Sequence, residues 1–202
     1  TVMYLFQAST FLIDKSVMDW SAGAAVATAL AFLVIFWVLY DRVCRWLGER
    51  DGQVGGDALV GTVVASFVVL ASWLACHWFA GRAAFLLVGA MLATTMSANV
   101  FFWIIPGQKK VIAQMRSGEV PDRIHGQRGK QRSVHNTYFT LPVLLAMLSS
   151  RYGWLVQGSW NWLVLSALMA AGALIRHSFV ARHKALLQGQ SAPWGWAVGG
   201  VM

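Results

Sequence analysis

Apolar and polar positions fall along this chain in long blocks, not in the short periods of a soluble fold. Three runs carry no Asp, Glu, Lys or Arg: residues 21–40, 58–79 and 83–105, which are 20, 22 and 23 residues long. About 20 residues at 1.5 Å rise cross a hydrocarbon core of ~30 Å, and a helix does so while satisfying its own backbone. Two weaker runs follow, 137–150 and 160–175, of 14 and 16 residues. They reach full length only if Arg132, Arg151, Arg176 and His177 are taken in at their ends. Those long basic side chains then either snorkel to the interface or face a protein-lined cavity. The pattern predicts an all-α polytopic transmembrane helix bundle of five complete spans, with partial spans at 1–13 and 192–202. Residues 1–202 are expected to form a single integral-membrane domain and to be a fragment of a longer protein.

Composition agrees: hydrophobic residues make up 57% and charged residues 12%, about half the ~25% usual in soluble domains. The net charge of +8 comes from a concentrated source. Seven of the 16 Lys and Arg lie in 99–142: Lys109, Lys110, Arg116, Arg123, Arg128, Lys130 and Arg132. Placing the large basic loop 106–135 in the cytoplasm puts 13 basic residues inside and leaves Lys15, Arg82 and Arg151 outside. This is the asymmetry expected of a bacterial inner (cytoplasmic) membrane protein. The expected contacts of this surface are membrane lipid, and no nucleic-acid module is present. Cys44 and Cys76 fall on opposite sides of the second span and cannot pair. No CxxC occurs, which excludes a covalent c-type haem within these residues.

Small residues four apart (Ala27 and Ala31, Gly61 and Ala65, Ala93 and Ser97, Ala167 and Ala171) predict close helix approach. Tryptophans such as Trp20, Trp78, Trp103 and Trp160 mark the interfaces. The connector 41–57 has mixed charge and a GG turn, and is expected to be a plain cytoplasmic link. Within the large loop, 109–117 suits a short surface helix. Gly118, Pro121 and Gly126 are expected to break the chain, with a helix restarting near Lys130 under a Ser133 cap and kinked at Pro142. On that helix Arg132, His135, Asn136 and Thr140 share one face.

Candidate chemistry gathers near the cytoplasmic ends of the spans. His135 and His177 fall at similar depth. Histidines so placed hold a b-type haem or a metal, or transfer protons near neutral pH; equally, each satisfies a backbone carbonyl or sits among headgroups. No metal site is assigned. His77 lies at the opposite end of its span, where an interfacial role competes with a separate haem site. Asn99, Gln108, Arg128, Gln131, Arg132 and Asn136 supply the forks and amides that suit a planar anion. The chain has no acid after Asp122, which counts against a carboxylate-based proton pump and a carboxylate-bridged di-iron centre.

The runs GRAAFLLVGAMLATTMSANVFFWIIPGQKK, GQRGKQRSVHNTYFTLPVLLAML and WNWLVLSALMAAGALIRH resemble the membrane domain of the bacterial cytochrome-c-linked (membrane-bound) urate oxidases, or urate hydroxylases. The resemblance implies a helical membrane domain serving urate oxidation to 5-hydroxyisourate in purine catabolism. Electrons would pass to a c-type cytochrome domain or subunit carrying c-type haem, outside these residues. It implies that Asn99, Gln108, Arg128, Gln131, Arg132 and Asn136 bind the urate-like anion and that His135 or His177 moves protons. It also implies a histidine within the helix that begins GRAAF, where this chain has Leu87. Leu87 and the missing haem motif point to an alternative: a non-catalytic accessory subunit of a respiratory or photosynthetic complex, built on the same fold.

Overall fold

The computed structural model describes residues 2–50, 53–187 and Trp194, so the segment expected at 192–202 lies outside the described residues apart from Trp194. Two short helices, α1 (Val2–Phe6) and α2 (Ala8–Phe11), stand where the tail of a span was expected. Long helices follow: α3 (Ala22–Gly48), α4 (Asp57–Trp78), α5 (Gly81–Asn99), α6 (Ile105–Arg116) and α7 (Arg123–Ser149), then the short α8 (Gly153–Val156) and the long α9 (Asn161–Leu187). Between α3 and α4 a two-residue antiparallel ladder pairs β1 (Glu49–Arg50) with β2 (Gln53–Val54). A π-helical turn, Val100–Ile104, joins α5 to α6 without a break.

Among the described residues, four helices are long and apolar enough to cross a membrane: Ala22–Gly48, Asp57–Trp78, Gly81–Arg116 and Asn161–Arg182. The fifth expected span is the second half of α7, whose first half is polar. At 27 residues α7 is ~40 Å long, so length suffices and composition does not. The chain breaks at Gly118 and Pro121 as expected, but the expected break at Gly126 and the restart near Lys130 are corrected. Asp122 caps α7, its carboxylate accepting from Ile124 N at 3.0 Å, and Gly126, Lys130 and Ser133 all lie inside the helix. Much of 106–135 is therefore a helical turnaround, α6 into α7, with Gly118 at φ 75° in the link.

Helix α5 occupies the centre, packed against α3, α4 and α7. Its buried residues run from Ala83 through Phe85, Leu87, Val88 and Met91 to Thr95 and Asn99, on nearly every face. On the opposite side α9 meets both α7 and α4. The α7–α9 contact is tight at Pro142: a Cβ on Gly172 would lie 3.0 Å from the Pro142 nitrogen. Proline carries no N–H, and glycine on the facing helix lets the two backbones close over that notch.

The expected small-residue seams are mostly not where the helices meet. Ala27, Gly61, Ala65, Ser97 and Ala167 are exposed. The buried four-residue rows run in other registers: Ala25 and Ala29, then Phe36, Tyr40 and Cys44 on α3; Val60 and Val64, then Ala71 and Ala75 on α4; Leu165 and Met169 on α9. At one end of the bundle Trp20, Phe32, Trp78 and Phe79 pack ring on ring. Ala80 N donates to the Leu12 carbonyl at 3.0 Å, docking the N-terminal segment there. The other end is polar.

Candidate functional site

The polar end is assembled by three helices. Tyr40, Asp41 and Cys44 come from the last turns of α3, Asn99 from the end of α5, and Arg128, Gln131, Arg132, His135 and Asn136 from the first half of α7. The common face predicted for Arg132, His135 and Asn136 turns towards α3 and α5. Arg132 is 1% exposed, while His135 and Asn136 are half-buried. Thr140 hydrogen-bonds its own helix, donating to the Asn136 carbonyl at 3.0 Å.

A chain of hydrogen bonds orders this cluster from one fixed point. Asn136 Nδ2 donates to the Met96 carbonyl at 3.0 Å. A carbonyl only accepts, so Asn136 must turn Oδ1 towards Asn99, whose Nδ2 donates to it at 2.9 Å. The same Nδ2 donates to the Tyr40 hydroxyl oxygen at 3.1 Å. The Tyr40 O–H is thereby directed to His135 Nδ1, 2.8 Å away. Neutral His135 then carries its proton on Nε2. Each assignment follows from the one before, and together they leave Asn99 Oδ1 buried without a partner.

Electrostatics order the other half. Arg132 Nη2 donates to Asp41 Oδ1 at 2.9 Å, and Arg45 holds Asp41 Oδ2 at 2.7 Å. The Arg132 guanidinium also lies 4.9 Å from the Tyr40 ring centre and 5.1 Å from that of Trp103. Arg45 and Arg128 flank the same indole at 5.8 and 5.7 Å. One indole ring thus lies near three cations, a favourable arrangement for those that are desolvated. Arg132 Nη1 is buried and unpartnered. A spare acceptor on Asn99 and a spare donor on Arg132 therefore flank Tyr40.

The connector expected to be a plain link supplies counter-charges instead. Glu49 takes a two-pronged bond from Arg128, at 3.0 and 2.6 Å. Asp57 accepts from Gln131 at 2.9 Å, and Val54 N donates to Gln127 at 3.1 Å. These acids come from upstream because α7 and α9 contain none.

Sequence reasoning missed Tyr40, Asp41, Glu49, Asp57 and Trp103. The available signal was that four of the eight acids fall within 41–57, while the chain has none after Asp122 to pair with its cations.

Other predicted residues lie elsewhere. Gln108 is exposed on α6. His177 meets the Tyr138 hydroxyl at 2.8 Å. His77 holds the Trp73 carbonyl at 2.7 Å and is exposed. Cys44 and Cys76 are free and buried, with Cys44 Sγ 3.8 Å from His135 Nδ1. Among the described residues no group of three or more His, Cys, Asp or Glu is placed to hold a metal.

The sequence model of a family described as "Urate oxidase N-terminal" matches residues 1–202. No curated protein and no solved structure matches the chain.

Proposed function

Because the chain belongs to the urate oxidase N-terminal family, we propose that it is the membrane part of an oxidoreductase that oxidises urate or a similar planar anion. The electrons pass to a c-type cytochrome at a bacterial inner membrane. The observation that carries this reading is the pair of buried, unused polar atoms beside Tyr40, Arg132 Nη1 and Asn99 Oδ1. Urate offers what both lack: an anionic oxygen for the arginine N–H and a ring N–H for the amide carbonyl.

Hydroxylation of the urate monoanion by water forms a C–O bond and releases two electrons and one proton. Tyr40 and His135 suit the proton: Tyr40 gives its hydroxyl hydrogen to His135 Nδ1 as it receives one from the water. Such positioned transfer contributes typically ~100- to 10,000-fold. The electrons go to an acceptor outside these residues. With no CxxC in the chain, a covalent haem does not fit here and belongs to a further domain or a partner subunit.

Leu87 favours a second reading. It is packed into the core at 6% exposure, where the family resemblance implies a histidine, and this suits an accessory subunit that keeps the fold alone. Membranes containing the full-length protein and a c-type cytochrome separate the two. Under the first reading urate drives cytochrome reduction, and His135→Gln lowers kcat by ~100-fold or more with urate binding retained. Urate-independent behaviour in both proteins sinks the first reading and leaves the second. Activity gained with Leu87→His marks a decayed enzyme.

Orientation is part of the same reading, with α6–α7 in the cytoplasm. Ser117 and Gly158 are both exposed. In intact cells an impermeant thiol reagent is expected to modify Gly158→Cys and spare Ser117→Cys; the opposite pattern inverts the topology.

A further inference from the structure

Where α5 runs into α6, apolar surface gives way to cationic surface within about two turns. Phe101 and Phe102 are 69% and 62% exposed and Ile105 is 38% exposed; Lys109 and Lys110 follow, both exposed. Large apolar side chains facing outward on a helix of membrane-crossing length meet acyl chains. The lysines after them mark the headgroup level, where indoles such as Trp103 also gather. At that level a cavity of about 80 Å³ opens between α6 and α7, with Phe102, Trp103, Lys110, His125 and Arg128 in its lining. The helices are close here because Gly107 faces the His125 carbonyl, whose oxygen would lie 3.0 Å from a Cβ at that position.

The polar lining is of one sign. Lys110 has no carboxylate partner among the described residues. Arg128 uses Nε and Nη2 on Glu49, with Nη1 outside that pair. His125 is half-buried at the rim. One wall, Phe102, is also part of the exposed apolar flank, so the cavity is continuous with surface that suits acyl chains.

We propose that this pocket binds the phosphate of an anionic phospholipid headgroup, with the acyl chains along Phe101, Phe102 and Ile105. Basic pockets between helices at the membrane surface recognise such headgroups. The proposal uses none of the residues that bond to Tyr40 and shares with the urate-binding set that the resemblance implies only Arg128.

The test is native mass spectrometry of the full-length protein in detergent, titrated with phosphatidylglycerol, phosphatidylcholine or inorganic phosphate. Phosphatidylglycerol is expected to be retained over phosphatidylcholine. Lys110→Gln should weaken its retention about fivefold, the effect of one surface cation near an anionic lipid, and His125→Ala should weaken it further. Arg116→Gln, exposed on α6 away from the pocket, should leave it unchanged. Equal retention of the two lipids, or unchanged binding in Lys110→Gln, overturns the proposal. So does inorganic phosphate competing at lipid-like concentrations, which would make the ligand a free phosphate. Displacement of the lipid by urate overturns it too, since the pocket would then belong to the substrate's route.

Discussion

Helix α7 carries two tyrosine–histidine hydrogen bonds of one length in unlike surroundings. Tyr40 meets His135 and Tyr138 meets His177, each at 2.8 Å. Around the first pair Tyr40 and Asn99 are both 0% exposed, the Met96 carbonyl fixes every donor and acceptor, and the Arg132 guanidinium covers the Tyr40 ring. The second pair is half-buried. Near it in sequence, Arg176 Nε and Ser178 Oγ are buried without partners. The difference teaches that one hydrogen bond does not make a site. A fixed tautomer, compensated charge and a low local dielectric do, and the first pair has all three.

The sharpest way to break this contrast is to remove the charge that closes the first network. Arg132→Ala leaves Asp41 buried with only Arg45 beside it. Breaking a buried ion pair from one side costs about 3–5 kcal/mol. Arg45→Ala removes the other partner, whose side chain is 42% exposed against 2% for Arg132, and should cost under about 1 kcal/mol. Unfolding in detergent, followed by loss of helicity, measures both. Adding Asp41→Leu to Arg132→Ala should recover most of the loss, because no uncompensated charge then remains. Equal small losses from the two arginine variants would show that the first pair is no more closed than the second.

A smaller effect is expected at the amide that passes order from α7 to α3. Asn99→Leu strands Asn136 Oδ1 and takes the amide donor from Tyr40, at about 1–3 kcal/mol for a buried group left unpaired. The matching change near the second pair is Ser178→Ala, which removes a hydroxyl that already lacks a partner. Its stability should stay within about 0.5 kcal/mol of the parent or rise. The same unfolding measurement compares them, and a large loss at Ser178 would mean that the second region holds a network of its own.

Sequence alone supplied much of this frame and little of its wiring. The charge-free runs at 21–40, 58–79 and 83–105 became α3, α4 and α5 because length and apolarity act locally. Arg132, His135 and Asn136 were placed on one face because helical period is local too. The start of α7 was misplaced: Gly126 suggested a break, while Asp122, a good cap, was taken for loop. The small-residue seams failed for a different reason. Spacing by four marks a row, but which row is buried depends on where large side chains such as Phe36 and Tyr40 find room. The bonds from Asp41, Glu49 and Asp57 to α7 span 91, 79 and 74 residues. No periodicity reports pairing at that separation, so a connector that holds the site together looked like a solvated link.

The finest comparison changes one oxygen in each pair. Tyr40→Phe strands the Asn99 amide donor and the Nδ1 lone pair of His135 together, inside protein that admits little water. It should cost about 1–3 kcal/mol and abolish the proton step proposed for urate. Tyr138→Phe deletes a half-buried hydroxyl whose histidine partner is also half-buried and can take up water, so the loss should be about 0.5–1 kcal/mol. Histidine ¹⁵N spectra read the cause directly. In the parent, His135 is expected as the neutral form with hydrogen on Nε2 and Nδ1 accepting. Tyr40→Phe should mix its tautomers, because nothing then directs a hydrogen at Nδ1. Tyr138→Phe should leave the His135 signals where they were. A His135 tautomer indifferent to Tyr40 would mean that the order running from the Met96 carbonyl stops short of the imidazole, and the two pairs would then be alike.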